Sequence, residues 1–321
     1  MTAAETTAIA DFFDEDLAPI VRRMADRPRA EGGGDDDSRE IRAMVWEGLV
    51  GLGALHASDT VRLAELLGSV LYQGPLLDTL TARELLRDHD LGHDLGQAPV
   101  ALAVAAEPWS DQDGAISARR AFVGFAAEVD HFLVGGVDDI AGLRLALVRA
   151  GHPSITMRRY EETSRGEAYA VEFAGTPVTA WAGSATEWEA ALAGARVRQA
   201  AYLVGLAQAA LDHAVDHAKT RRQFGQPIGK FQGLAFRLSE LSMHIDATRL
   251  LVHDRDAAAH AAANLAAASD LARTVTTRTM QVHGAAGMRS DNDAQLYYRR
   301  AAAESVRLGT PSQLRRESWG T

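Results

Sequence analysis

The stretch TRRQFGQPIGKFQ, Thr220 to Gln232, sets two adjacent arginines, an aromatic residue, a glycine and a proline into otherwise helix-forming sequence. Glycine and proline punctuate helices, so Arg221, Arg222 and Gln223 stand at a break. A local basic patch of this kind can bind phosphate even on an acidic chain. Shortly before it, Asp212, His213, Asp216 and His217 repeat at i, i+4, a spacing open to metal ligands. Acidic helix faces carry the same pattern, and no metal site is expected. DHDLGHDLG, Asp88 to Gly96, is similar and reads as a solvated loop. There is no cysteine, which excludes thiol catalysis, disulfides and cysteine-held metals.

The 321 residues have room for one large domain or two to three subdomains. With 47% hydrophobic and 24% charged residues the composition is that of a globular protein. A net charge of −10 argues against a nucleic-acid or anionic-membrane surface. The start MTAAETTAIADFFDEDLAPIV is acidic and lacks a signal-peptide core, and no run reaches membrane-spanning length. A cytoplasmic location is the expectation.

Three blocks must position these residues. Residues 1–98 read as a helical domain. Ile9, Phe12, Phe13, Leu17, Val21 and Met24 fall near helical spacing. EGGGDDDS, residues 31–38, reads as a flexible loop, with Asp37 or Ser38 as the cap of the helix that follows. Two more helical pieces are broken at Gly74-Pro75. Residues 99–186 change to short strand-like runs: PVALAVAAE, GAISARRAFVGF, HFLVGG, LRLALVRA, SITMRRYE and YAVEFAGTPV. Turn signals fall at Asp113-Gly114, Gly135-Gly136, Gly151-His152-Pro153 and Gly175-Thr176-Pro177. A small antiparallel sheet or barrel is expected there. Residues 187–321 are alanine-rich and helical again. Trp109, Trp181 and Trp188 are expected in cores or interfaces.

With that order of blocks, the motifs can be placed. TRRQFGQPIGKFQ resembles the Arg-x-x-Phe-Gly-x-x-Ile/Leu-x-x-x-Gln signature of the acyl-CoA dehydrogenase family. QVHGAAGM, Gln281 to Met288, is similar to that family's Gln-x-x-Gly-Gly-x-Gly motif. YYRRAAAESVRLGTPS resembles the segment ending in its Glu-Gly-Thr, and AELLGSVLYQGPLLDT its N-terminal Glu-x-Leu-Gly-…-Pro segment. The resemblance runs along nearly the whole chain. It implies a mainly α fold with a small β domain: an N-terminal helical domain, a central β-barrel or sheet, and a C-terminal four-helix bundle. It implies FAD at a subunit interface, an acyl thioester of CoA or a carrier protein as substrate, and a dimer or tetramer with itself or with a related subunit. By position it assigns Arg221, Gln223, Phe224, Gln232, Gln281, Gly284, Ala285, Thr310 and Phe122 to the cofactor, with Arg221 rather than Arg222 as the family arginine. Arginine forks suit a pyrophosphate. Arg196 matches a family arginine at the thioester end and is preferred to Arg198.

The departures from the family pattern bear on mechanism. The resembled reaction is α,β-dehydrogenation, in which a carboxylate removes the α-proton and flavin takes hydride from the β-carbon. Leu308 stands at the usual base position, and GARVRQAA, at the alternative one, has no carboxylate. Glu304, one helical turn earlier, is the substitute candidate if that segment is helical. Ala285 replaces a glycine. Ala106 stands where a flavin-contacting threonine is usual, and Phe122-Val123-Gly124 replaces Trp-Ile-Thr. The tail VRLGTPSQLRRE is similar to that of short partner subunits of heteromeric steroid-type enzymes. Three readings follow: a flavin-dependent acyl-thioester dehydrogenase, a non-catalytic subunit supporting a partner's FAD, and a flavin-free homologue catalysing a non-redox step of secondary metabolism.

Overall fold

The computed structural model describes residues 35–319 apart from 58, 88–94, 139–141, 162 and 165. The helix expected around Ile9 to Met24 and most of the Asp88–Gly96 segment lie outside the described residues. Helices come first, then a small β region, then long helices, as the change of sequence texture predicts. The chain divides into two compact units: residues 73–195, and residues 1–72 together with 196–321.

In the unit of residues 73–195, α3 (Leu76–Leu85) starts at Pro75, where the Gly74-Pro75 break is expected. Eight strands follow: β1 (Val100–Pro108), β2 (Ser110–Gln112), β3 (Ala115–Gly124), β4 (His131–Asp138), β5 (Gly142–Arg149), β6 (Ile155–Arg159), β7 (Ala168–Pro177) and β8 (Ala180–Trp181). They form two four-stranded sheets, ordered β1-β4-β5-β8 and β2-β3-β7-β6. One pairing differs from the antiparallel expectation: β1 and β4 run parallel, because β2 and β3 leave for the second sheet between them.

Alternation along the strands builds two cores. Phe132, Val134, Ala146 and Val148 face a cluster shared with Ile116, Val171 and Phe173 of the other sheet. The intervening Leu133, Leu145 and Leu147 face a second cluster with Leu85 and Leu86, Trp188 and Ala191. A sheet covered on both faces needs continuous apolar runs, and HFLVGG and LRLALVRA supply them. Phe132 and Phe173 meet edge to face with centroids 5.5 Å apart. Each buried ring is worth about 1.5–3 kcal/mol of transfer free energy.

Two glycine signals mean something other than a turn. Gly135-Gly136 lies inside β4. A Cβ on Gly136 would come within 2.4 Å of the Trp109 ring, so this glycine makes room for a side chain. Gly175 lies inside β7 at φ 65, where the β3–β7 register shifts, and marks a bulge. Asp113-Gly114, with φ 52 and 76, is a true two-residue hairpin turn.

In the other unit, α1 spans Asp35–Gly51 and α2 Thr60–Ser69. The first helix is already running at Asp35, ahead of the expected cap at Asp37 or Ser38; acidic residues are favourable in a first turn. Asp59 caps α2 by accepting the Arg62 N–H at 2.9 Å. The long α4 (Ala185–Thr220) begins with a Ser184/Glu187 capping box. It is followed by α5 (Gln232–Val252), α6 (Ala261–His283), α7 (Asp293–Glu304) and α8 (Pro311–Trp319). The α2 and α4 backbones touch at Gly68 and Gly205. A Cβ on either would lie 1.9 Å from a carbonyl oxygen of the opposite helix.

Candidate functional site

The helix break is a small hairpin. Arg222–Gln223 pairs antiparallel with Gln226–Pro227, and the Ile228 N–H donates to the Arg221 carbonyl at 2.8 Å. The turn residues Phe224 and Gly225 have φ 51 and 82. Positive φ at both centres is the geometry of a type I′ turn. Glycine adopts it freely, whereas phenylalanine is strained there. The Phe224 side chain is 93% exposed, so no burial compensates that strain. Strained, exposed residues cluster at ligand sites.

The two arginines are not equivalent. Arg222 Nη2 donates to the Gly225 carbonyl at 2.8 Å and braces the turn. The Arg221 guanidinium makes no hydrogen bond or ion pair among the described residues, so all its donors remain available for an anion. Gln223 and Gln232 are exposed as well.

The second motif closes the end of α6. Gln281, Gly284 and Ala285 are exposed, and Gly284 takes φ 60 with ψ −143, a region open to glycine. This turn and the end of α4 are brought together through histidine. The His283 ring packs 4.4 Å from that of His217, one helical turn before Arg221. Sequence reasoning set His213 and His217 aside as an acidic-face pattern and passed over His283. Their stacking partner could not be read from spacing on one helix.

A second group of residues surrounds Leu308. The α-helix α7 ends at Glu304, so the helical geometry that would align Glu304 with Leu308 is absent. Gln199 Nε2 donates to Glu304 Oε2 at 3.0 Å, and Arg307 and Arg300 lie 3.7 and 4.0 Å from that carboxylate. The Glu304 side chain is 13% exposed. Arg196 pairs with Glu317 at 2.7 Å and donates weakly to the Leu308 carbonyl at 3.4 Å. The Thr310 hydroxyl donates to Gln313 Oε1 at 2.7 Å. In return, the Gln313 N–H reaches Thr310 Oγ1 at 3.3 Å, a capping box with Pro311 at the first helical position of α8.

In the β unit, Phe122 sits in a bulge of β3 with φ 56 and is 74% exposed. Its ring stacks on Tyr160, with centroids 4.8 Å apart. Gly124 pairs with Ala168 and carries no hydroxyl; the Ala106 side chain lies outside the described residues. The donor set therefore fits a dinucleotide at its pyrophosphate end, where an unpaired guanidinium and several amides are exposed. Around Phe122 it offers aromatic surface and no hydroxyl donor at Gly124. Among the described residues no group of three or more His, Cys, Asp or Glu side chains is placed to hold a metal ion, and no helix is long and apolar enough to cross a membrane.

This fold and donor set can be compared with known proteins. Residues 186–317 match the family described as acyl-CoA dehydrogenase, C-terminal domain. Over 126 residues the chain is 37% identical to the acyl-CoA dehydrogenase IpdE2 of Mycolicibacterium smegmatis, covering 38% of this chain and 40% of that protein. The matches span between 33% and 40% of the length of such curated relatives. Two solved structures share the whole fold. The Tcur3481-Tcur3483 steroid ACAD has a TM-score of 0.78 at 24% identity, covering 98% of this chain and 94% of that one. The ChsE4-ChsE5 complex from Mycobacterium tuberculosis has a TM-score of 0.80 at 22% identity, covering 99% and 97%. The fold is that of an acyl-CoA dehydrogenase. Within that fold, residues 186–317 are the part that matches the acyl-CoA dehydrogenase C-terminal domain.

Proposed function

We propose that this chain is a subunit of a flavin-dependent acyl-thioester dehydrogenase and supports an FAD site whose catalytic base comes from a related partner. The observation that carries the reading is a contrast. Among the described residues Arg221 has no side-chain partner, and the strained, exposed Phe224 stands close to it in the hairpin. Glu304, the carboxylate proposed as a substitute base, is held by Gln199, Arg300 and Arg307. Leu308 cannot accept a proton at all.

Arg221 would hold the pyrophosphate, Gln223, Gln232 and Gln281 would bond nearby polar groups, and Phe224 would present a flat apolar face. FAD, when bound, supplies a hydride acceptor for the acyl chain. Arg196, tied to Glu317, would position the thioester end through the Leu308 segment. The likeness to a two-protein complex and to a steroid ACAD supports a heteromer acting on an acyl-CoA thioester.

Coexpression with a glutamate-bearing related subunit tests this directly. Flavin absorbance should be retained by the pair and be weak or absent in the chain alone. In the pair, Arg221→Ala should cost about 1.5–3 kcal/mol of flavin binding, or roughly 10- to 100-fold in affinity. Arg222→Ala should cost less. Equal, negligible effects in flavin titrations would remove Arg221 from the site. A yellow homomer that turns over acyl-CoA unaided would remove the need for a partner.

A further inference from the structure

His213 and His217 on α4 and His283 at the end of α6 form a stack that the proposed site does not use. The ring of His283 lies 4.6 Å from that of His213, with 19° between planes, and 4.4 Å from that of His217, at 36°. His283 is 6% exposed, yet among the described residues neither Nδ1 nor Nε2 has a hydrogen-bond partner, and His213 Nε2 has none either. Stacked rings direct their in-plane lone pairs past one another, which does not suit a shared metal ion. What the stack joins is the segment that leads into Arg221 and the turn at Gly284. The His217 carbonyl accepts the Arg221 N–H at 2.8 Å, and His283 immediately precedes Gly284.

Among the described residues, the groups facing the stack are few: the Arg221 cation, just past the end of α4, and the Tyr297 ring of α7, 6.0 Å from His213. Asp212 and Asp216, also on α4, are engaged by Gln208 at 2.9 Å and Lys219 at 3.1 Å. Burial, then the charges of His213 and His217, hold His283 down at about 4. Burial, then His213 and Arg221, lower His217. His217 and His283 are therefore neutral near pH 7, and Arg221 is one of the groups that keeps His217 so.

We propose that the histidine stack is a proton acceptor coupled to anion binding at Arg221, so that a diphosphate bound there draws a proton into the stack. This rests on the reading of Arg221 as the phosphate-binding arginine. A bound diphosphate cancels the field of Arg221 and adds its own negative potential. Both effects favour an imidazolium at His217 and, through the stack, at His283. The coupling is reciprocal, so a ligand that takes up protons binds more tightly as pH falls. The stack accepts one proton at most, because a second cation would face the first across touching rings.

The test is calorimetric titration of the flavin-stripped protein, in its native assembly, with FAD. The diphosphate diester of FAD has no group of its own titrating near neutrality. Two buffers of different ionisation heat count protons directly, without any variant. Uptake of a fraction of a proton is expected at about pH 6 and almost none at about pH 8, with affinity rising severalfold between them and at most about tenfold per unit. His217→Phe with His283→Phe keeps the stacked rings but cannot accept the proton, and should abolish the uptake. Binding without uptake, or binding that weakens as pH falls, overturns the coupling and leaves Arg221 in place. Uptake that persists in the double variant also overturns it. Absence of FAD binding overturns both the coupling and the reading it rests on.

Discussion

Gly205→Ala probes how the chain positions its candidate site, because α4 carries Gln199, His213 and His217 and leads into Arg221. A methyl group at 205 would lie 1.9 Å from the Glu65 carbonyl oxygen and 3.0 Å from the Ser69 nitrogen. Both are backbone atoms, so no side-chain rotation relieves the clash. The α2 and α4 axes would have to part by about 1 Å, which loosens the contacts on either side. Overpacking of this kind costs about 1–3 kcal/mol, against which alanine regains up to about 1 kcal/mol of helix propensity. With a backbone-to-backbone clash the net loss should be roughly 2 kcal/mol, or a fall of roughly 4–8 °C in Tm. Gly233→Ala on α5 is the matched control, since nothing lies within 4 Å of its added methyl. It should be neutral or stabilising by up to about 1 kcal/mol. Thermal unfolding followed by circular dichroism reads both variants. If Gly205→Ala melts no lower than Gly233→Ala, the crossing is not a backbone contact and the argument fails.

Three further outcomes are expected. Phe224→Gly should stabilise the fold by about 0.5–1 kcal/mol by relieving a positive φ at an exposed residue, while weakening flavin binding; a loss of stability would mean the turn is not strained. Glu304→Gln should lower Tm by removing the charge held between Arg300 and Arg307, yet leave residual turnover of the native assembly within a few-fold; a loss of about 10²–10⁴ with unchanged Tm would identify Glu304 as the base. Acid should destabilise the fold through His283. Its folded pKa, about 4, lies below the usual 6.5, so the unfolded chain binds more protons between those values and stability falls as pH drops through that window. The full effect is about 3 kcal/mol, and His283→Phe should flatten the pH profile of Tm between about 6.5 and 4.

What the sequence determined on its own is what backbone chemistry decides within a few residues. Proline and glycine end the helix before Pro75 and open the hairpin after Thr220. Short strand-like runs bounded by turn signals became the strands of the two sheets, and Asp113-Gly114 became a hairpin turn. The ordered motifs from Arg221 to Thr310 pointed to the family. The remainder depends on what stands opposite a residue in space. Gly135-Gly136 reads as a turn until the Trp109 ring is seen to fill the space above it, and Gly68 and Gly205 look ordinary until two helices meet there. Arg221 and Arg222 are adjacent and chemically identical in sequence; only the folded hairpin ties one to Gly225 and leaves the other unpaired. Glu304 looks like a base candidate until Gln199, 105 residues away, is found bonded to it. His283 showed no local pattern, because its partners stand on another helix. A carboxylate's charge partners, a ring's stacking neighbours and the room above a glycine are set by tertiary packing, since residues far apart in the chain supply them.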